Sequence, residues 1–189
     1  MKPTMQAIDL LTQRSSTPSR LLQEPAPTDA ELQQLLEIAV RVPDHGALVP
    51  FRFIRIAGER RAALGAQCEA VLLQDHPDAD EAKRNKERGR FTRSPLCVAV
   101  IGTYTPGKIP QIEQTLSAGC AAMNLLHAAF AHGFGAQWLT GWPAYHPAIH
   151  QALSLNSTES IVAFIYLGSI GAEIQERRRP CVDDLLTDA

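Results

Sequence analysis

Two short runs of the sequence carry no charged side chain at any position. Residues 96–102 and residues 161–167 are apolar almost throughout, without the polar alternation of a strand that faces water. Runs of this length are typical of strands that are covered on both faces. Aromatic and β-branched residues over 51–56 predict a third strand. The pattern therefore predicts a central sheet with helices against both faces.

Helical spacing marks most of the segments between these strands. Apolar residues recur at this spacing after Thr28, which has the spacing of a capping box with Glu31. This helix is predicted over residues 29–42 and ends before Pro43. Further helices are predicted over 4–14, 59–75, 78–93, 111–132 and from Pro147 onward. The order of elements predicts an α+β fold in a single domain over residues 1–189.

The longest stretch without a formal charge lies between Glu113 and Glu159 and contains 45 residues. Within it, residues 117–131 are rich in small side chains and apolar on almost every side of a helix, which indicates burial. Three interpretations of this helix are open: a membrane span, the core of one chain, and a helix shared with a partner subunit. A span needs about 20 apolar residues. Because Asn124 and His127 interrupt this one, a contact between subunits is favoured.

Composition narrows the classes of function. The chain has 189 residues with 18 basic and 20 acidic side chains, which gives a formal net charge of −2. This balance argues against nucleic acid as a partner and against attraction to an anionic membrane. No apolar segment precedes Asp9, so no signal peptide is expected. The four cysteines form no CxxC pair, and free thiols in a reducing cytoplasm are expected.

Four segments carry groups that suit an anionic or flat ligand. Arg14 is followed by the hydroxyls of Ser15 and Ser16, a donor set that suits phosphate. A second segment holds an arginine and a histidine in the turn before the strand at 51–56. Glycines in a third segment permit close approach of the backbone to a flat ligand, and the fourth is a basic tail. The last three segments are residues 41–46, residues 133–142 and residues 177–180.

Each segment taken alone is explained as well by ordinary structure, such as a solvated helix end, a core tryptophan or a surface charge run. A metal site is not predicted. His146 and His150 are four residues apart, but Pro147 starts their helix and no HExxH motif accompanies them. The sequence has no P-loop and no GxSxG motif, and spacing alone assembles no Ser-His-Asp or Cys-His set.

Taken in order, these segments resemble the nitroreductase family of flavin mononucleotide (FMN) oxidoreductases, over residues 9–184. Residues 10–16 are similar to the family's N-terminal Arg-x-Ser motif, and residues 41–53 to its Ala-Pro-Ser…Gln-Pro-Trp-x-Phe segment. Residues 117–126 look like its central helix, and residues 133–138 like its Gly-Leu-Gly…Trp turn. Four positions depart from the family pattern: Ser15, which stands where the family can have a second arginine, Asp44, Val49 and Phe51.

The resemblance implies an α+β subunit with a central mixed sheet, and a homodimer with two FMN sites at the subunit interface. It places the helix around Gly119 at the two-fold contact, so that a charge at Ala121 or Ala122 is expected to separate the subunits.

The resemblance also implies the cofactor contacts. Arg14, Ser15 and Ser16 are expected at the FMN phosphate and ribityl chain, and Arg178 at the phosphate from the tail. The flavin itself is expected to meet Arg41 and His45 from the other subunit, and Trp138, Leu139 and Thr140 along the isoalloxazine ring.

The activity implied is that of a reductase. Hydride from NADH or NADPH passes through FMN to nitroaromatic or quinone-like acceptors by a ping-pong mechanism. The flavin carries the hydride, so no catalytic side chain is expected, and His132 and Gly133 are the expected contacts of the nicotinamide or substrate. The alternatives are another flavin reaction on the same scaffold, such as reductive dehalogenation or flavin breakdown, and a flavin-binding protein without turnover.

Overall fold

The computed structural model describes residues 7–188, which form six α-helices and five strands. The helices are α1 (Ala7–Gln13), α2 (Asp29–Ala39), α3 (Glu59–Asp75), α4 (Glu81–Arg88), α5 (Gln111–Ala131) and α6 (Pro147–Ala152). The strands are β1 (Leu22–Gln23), β2 (Phe51–Ile56), β3 (Leu96–Thr103), β4 (Gly135–Leu139) and β5 (Glu159–Ile170). The predicted α+β class is confirmed.

The sheet is built around β5. On one side β5 pairs with β3, which pairs with β2, and on the other side it pairs first with β4 and then with β1. Every pairing among the described residues is antiparallel, so the expected mixed sheet is wrong for this part of the chain. The single helix α5 does carry the chain from β3 to a strand of the same direction, β4. These two strands are not neighbours because β5 lies between them.

The apolar strands are covered on both faces, as predicted. Along β3, Leu96, Val98 and Val100 pack in the layer that contains α2 and α5. The residues that alternate with them pack in the layer that contains α3 and α6: Cys97, Ala99 and Ile101. The hydrophobic core is therefore two layers, one on each side of the sheet.

The predicted helices are found, with differences at their ends. The capping box of α2 is present, since Glu31 N–H donates to the Thr28 hydroxyl and Thr28 N–H donates to the Glu31 carboxylate. α2 ends at Ala39, three residues before the predicted end, and α4 covers only the middle of 78–93. Residues 4–6 of the first predicted helix lie outside the described residues. The bounds 59–75 are confirmed for α3, and α6 begins at Pro147 as predicted.

α5 buries one side and exposes another. Its small residues Ala118, Ala121 and Ala122 are fully buried against the chain's own sheet. Positions 121 and 122 were expected at a subunit contact, and that expectation is wrong because the sheet of the same chain covers them. The opposite side is apolar and open, and we call it the outward strip: Ile112, Leu116, Gly119 and Cys120. Within residues 7–188 no helix has the length and hydropathy of a membrane span.

Candidate functional site

The segment that follows α1 is fixed against β4. Thr17 N–H donates to the Ala136 carbonyl at 2.9 Å. Ser19 N–H donates to the side-chain oxygen of Gln137 at 2.6 Å. These two anchors hold residues 14–19 along the first half of β4, so the Arg14 and Ser15 side chains start from a rigid edge of the sheet.

The C-terminal tail brings a second guanidinium to this segment. Nη2 of Arg179 lies 3.5 Å from the Ser15 hydroxyl and 3.4 Å from the Arg14 carbonyl oxygen. Arg179 also forms an ion pair with Glu176, with 2.5 Å between Nη2 and Oε1. We call these four residues the anion cluster: Arg14, Ser15, Glu176 and Arg179.

Positive charge outweighs negative charge in the anion cluster. Partial burial lowers the pKa of Arg14, and the neighbouring guanidinium groups of Arg179 and Arg177 lower it further. The pKa of Glu176 is held below its usual value, first by a hydrogen bond from the Ser15 hydroxyl and then by Arg179. The guanidinium groups of Arg14 and Arg179, with the charge of Arg177 added, thus outweigh one internal carboxylate, an arrangement that suits a ligand with more than one negative charge.

A cavity of about 280 Å³ opens further along the same segment. It is lined by Pro18, Ser19, Arg20, Arg93, Gln137 and Leu139. Neither Arg20 nor Arg93 has an acidic partner within 4 Å among residues 7–188. Arg93 instead lies over the Tyr166 ring, 5.7 Å from its centre. This Arg20–Arg93 cavity therefore offers two guanidinium forks to a carbonyl or an anionic group.

The turn after β4 is stabilised by a glycine and by side-chain hydrogen bonds. Gly141 has a positive φ of 65°, a conformation that favours glycine. The Trp142 indole N–H donates to a Glu87 carboxylate oxygen at 3.0 Å, and the same carboxylate binds Arg90 through two hydrogen bonds. These contacts fix the backbone at Thr140 and Gly141, next to the Arg20–Arg93 cavity.

The turn before β2 lies elsewhere, on the outward strip of α5. Nδ1 of His45 is 2.6 Å from Oε2 of Glu113, near the start of that helix. The Asn124 amide donates to the Arg41 carbonyl at 2.9 Å. A cavity of about 190 Å³ joins the two elements and is lined by Pro43, His45, Glu113, Leu116, Ser117 and Cys120. This side of the molecule is not covered by the rest of the described chain.

Comparison with known proteins identifies the family. The model of the Nitroreductase family matches residues 11–169, which is most of the chain. The chain belongs to the nitroreductase family. This confirms the resemblance drawn from the sequence, and it makes the protein an enzyme of the oxidoreductase class.

Relatives and solved structures agree with this assignment. The Escherichia coli K12 protein named "Putative NAD(P)H nitroreductase YdjA" is 37% identical over 166 residues, which cover 87% of this chain and 88% of that protein. A Haemophilus influenzae protein of the same description is 34% identical and is matched over 95% of this chain and 96% of its own length. A nitroreductase-like structure from Bacillus cereus has a TM-score of 0.83 at 20% identity, covering 100% of this chain and 98% of its own. The FMN and NADPH-dependent nitroreductase NfnB of Sphigopyxis sp. strain HMH has a TM-score of 0.78 at 16% identity, over 98% of this chain and 99% of its own.

The predicted site residues of this nitroreductase fall into three places. Arg14 and Ser15 lie in the anion cluster, and Ser16 follows them at the surface. Leu139 lines the Arg20–Arg93 cavity. Trp138 packs in the α2–α5 layer, and Thr140 is half-exposed in the turn after β4. Arg41 and His45 are on the side of α5. Their contacts with a cofactor stay predictions.

The tail arginine that contacts Ser15 is Arg179, and a phosphate contact of Arg178 stays a prediction. Arg179 contacts Ser15, whereas Arg178 lines an open cavity of about 370 Å³ together with Arg179, Pro180, Cys181 and Asp184. Adjacent tail residues carry the same charge, and without a helix or strand period the sequence gives no signal for which one turns towards Arg14. Sequence reasoning did not single out Glu176, Arg20 or Arg93, because none of them belongs to a motif that points to a ligand.

His132 and Gly133, the residues expected at the nicotinamide, lie at the C-terminal end of α5. Gly133 has a φ of 78°, and its N–H donates to the Phe130 carbonyl while Phe134 N–H donates to that of Ala129. This pair of bonds is a Schellman motif, which favours glycine at this position. A contact of His132 and Gly133 with the nicotinamide or substrate stays a prediction.

His146 and His150, which are four residues apart, each contact a backbone group at or next to α6. His146 Nδ1 accepts from the Ala148 N–H, and His150 Nε2 lies 2.8 Å from the Ala144 carbonyl oxygen. Both rings are thus engaged by backbone groups.

Proposed function

We propose that this nitroreductase binds FMN, takes hydride from NADH or NADPH and reduces nitroaromatic or quinone-like acceptors. The observation that carries the proposal is the convergence of Arg14, Ser15 and Arg179 beside β4. The Escherichia coli and Haemophilus influenzae relatives, which are named as NAD(P)H nitroreductases, support the reductant. The Sphigopyxis enzyme, described as FMN and NADPH-dependent, supports both the cofactor and the reductant.

The donor set fits the phosphate of FMN. That group carries about −1.5 to −2 charges near neutral pH. Arg14 and Arg179 supply guanidinium forks and Ser15 supplies a hydroxyl, all within one cluster. A hydrogen bond to a charged group contributes about 1.5–3 kcal/mol. These residues would hold the phosphate, with Ser16 next to the ribityl chain.

The Arg20–Arg93 cavity fits the other end of the cofactor. The segment from Arg14 to Arg20 connects the two places, and both border β4. Arg20 and Arg93 would hold the polar edge of the isoalloxazine ring, and Trp138, Leu139 and Thr140 would line the ring by backbone and side chain. Two guanidinium groups at that edge would stabilise negative charge on the ring.

Bound FMN would supply transfer of hydride from the nicotinamide to the acceptor in two successive half-reactions, a ping-pong mechanism. The residues of the chain bind and orient. Arg14 and Arg179 fix the phosphate, the Glu87–Trp142 bond fixes the turn at Gly141, and Arg20 and Arg93 set the charge at the ring. No side-chain nucleophile or general base is proposed.

We also propose that two copies associate through the outward strip of α5. Ile112 and Leu116 are 63% and 60% exposed, and Leu116 belongs to the 45 residues that carry no formal charge. A contiguous exposed apolar patch marks an interaction site. In such a homodimer Arg41 and His45, which border the strip, would approach the flavin of the other subunit.

Flavin binding and reduction test the proposed function. The purified protein is expected to take up FMN with a yellow colour, and NADH or NADPH is expected to bleach it without oxygen. Arg14→Gln is expected to weaken FMN binding by about ten- to hundredfold, because a charge-assisted phosphate contact is lost. Binding of riboflavin, which lacks the phosphate, is expected to change little.

The matched control is Arg55→Gln, which removes an exposed arginine whose one ion pair among residues 7–188 is with Asp29. It is expected to leave FMN affinity unchanged. A protein that takes up no FMN would refute the proposal that FMN is the cofactor. A yellow protein that neither reductant bleaches would refute the reductase and favour a flavin-binding protein without turnover.

A further inference from the structure

One carboxylate lies inside the anion cluster. Oε1 of Glu176 is 2.5 Å from Nη2 and 2.6 Å from Nε of Arg179. The same Nη2 also lies 3.5 Å from the Ser15 hydroxyl oxygen. The negative charge of Glu176 partly offsets the repulsion between Arg14 and its neighbouring guanidinium groups. Glu176 therefore supplies the anion that the cluster needs in the absence of a ligand.

Glu176 uses the same hydrogens that a phosphate would need. The Nε and Nη2 hydrogens of Arg179 form one edge of its fork, and both point at the same carboxylate oxygen of Glu176. While Glu176 stays in place, a phosphate oxygen cannot accept from this edge of Arg179.

We propose that Glu176 is an internal competitor of phosphate, and that it leaves the anion cluster when the phosphate group of FMN enters. The proposal rests on the proposed FMN function and names a residue that sets the affinity for phosphorylated flavin. The exchange makes and breaks only hydrogen bonds and ion pairs. The Glu176 side chain is 54% exposed, so it can turn into solvent without leaving a buried charge unpaired.

The charges of the two anions predict which of them displaces the other. A phosphate with close to two negative charges replaces a carboxylate with one, so FMN displaces Glu176 but loses part of its binding free energy in doing so. Riboflavin has no phosphate and leaves Glu176 in place. Glu176 therefore weakens FMN binding and leaves riboflavin binding unchanged.

Titration of Glu176→Gln with the two flavins tests this competition. The variant keeps the size of the side chain and removes its charge. FMN affinity is expected to rise roughly two- to fivefold, the scale of an exposed ion pair, and riboflavin affinity to stay constant. Glu173→Gln is the control, because it removes an equal charge from the tail at a residue with no ion pair among residues 7–188. It is expected to change FMN affinity less than twofold, on the order of a distant screened charge.

A second measurement does not depend on flavin. Inorganic phosphate alone is expected to raise the unfolding temperature, with its half-maximal effect at a lower phosphate concentration in Glu176→Gln than in the unchanged protein. This shift would support the competition between Glu176 and phosphate even if FMN did not bind. The proposal on Glu176 and the proposal on FMN can therefore fail separately. FMN and phosphate affinities that are unchanged or weaker in Glu176→Gln would overturn the proposal, since Glu176 would then support Arg179 instead of competing for it.

Discussion

The position of the anion cluster depends on the missing side chain of Gly135. A Cβ atom there would lie 2.6 Å from Cδ2 of Leu22 and 2.8 Å from the Thr17 hydroxyl. Thr17 is the residue whose N–H fixes the segment to β4. We predict that Gly135→Ala lowers the free energy of unfolding by about 1–3 kcal/mol, the usual cost of overpacking, and weakens FMN binding as Thr17 moves. Denaturant unfolding and flavin titration measure the two effects.

Gly107→Ala is the control for this prediction. A Cβ at Gly107 would meet no atom within 4 Å, so its stability and FMN affinity are expected to match those of the unchanged chain. Equal stability of Gly135→Ala and Gly107→Ala would show that the close packing at β4 does not position the segment.

Single residues show what the sequence could and could not predict. Arg14 and Ser15 were predicted because a guanidinium beside hydroxyls has a recognisable chemistry within a few residues. Arg179 was not chosen over Arg178, since the direction of a side chain in an irregular tail depends on contacts distant in sequence. Glu176, the partner of Arg179, was not predicted for the same reason, because only the folded chain brings this part of the tail to Ser15.

At the level of elements, one carboxylate joins α3 to α4. Glu69 on α3 accepts hydrogen bonds from Arg84 and Arg88 on α4. The hydrogen bond from Arg88, with that from Arg84, lowers the pKa of Glu69 from 4.5 to about 2. A carboxylate with a lowered pKa stabilises the fold above its unfolded pKa and loses this effect as the pH falls through its folded pKa. The contribution of Glu69 is therefore complete near neutral pH and is lost between pH 4.5 and about 2.

We accordingly predict that Glu69→Gln lowers the unfolding temperature at pH 7, and that the difference shrinks as the pH is lowered from 4.5 towards 2. Thermal unfolding across this range measures it. Asp78→Asn, in the exposed link between α3 and α4, is expected to leave the unfolding temperature unchanged at each pH. A constant difference between Glu69→Gln and the unchanged chain would rule out the ion pairs as its cause.

Elements with a strong local pattern were predicted, and those that depend on a partner strand were not. α3 and the start of α2 follow from helical spacing and a capping box. β4 has two glycines just before or at its start and only five residues, so the sequence favoured a turn. It becomes a strand because the edge of β5 offers it a ladder from Phe164 to Gly168. β5 extends past its apolar run for the same reason, since Ser169 and Ile170 pair with β1.

For the whole molecule, the 45 uncharged residues divide between two environments. The sheet of the chain itself explains the buried side of α5, where Ala118 and Ala122 have no exposed surface. It does not explain Leu116 or Cys120, which are exposed on the opposite side. At Gly119 the helix backbone is open, so that another backbone could approach it closely. A helix shared between subunits stays a prediction, and the outward strip is the side of α5 that the described chain leaves uncovered.

We predict that Leu116→Glu converts a homodimer into monomers, because a carboxylate would have to be buried without a partner at the centre of the outward strip. Light scattering coupled to size-exclusion chromatography measures the mass. Ala70→Glu, on an exposed side of α3, adds the same charge away from the strip and is expected to keep the dimer. Because Arg41 and His45 would reach the flavin of the other subunit, the monomer is also expected to bind FMN more weakly than the Ala70→Glu dimer. A monomeric unchanged chain would refute the shared helix, whereas a Leu116→Glu dimer of full FMN affinity would place the interface on another face.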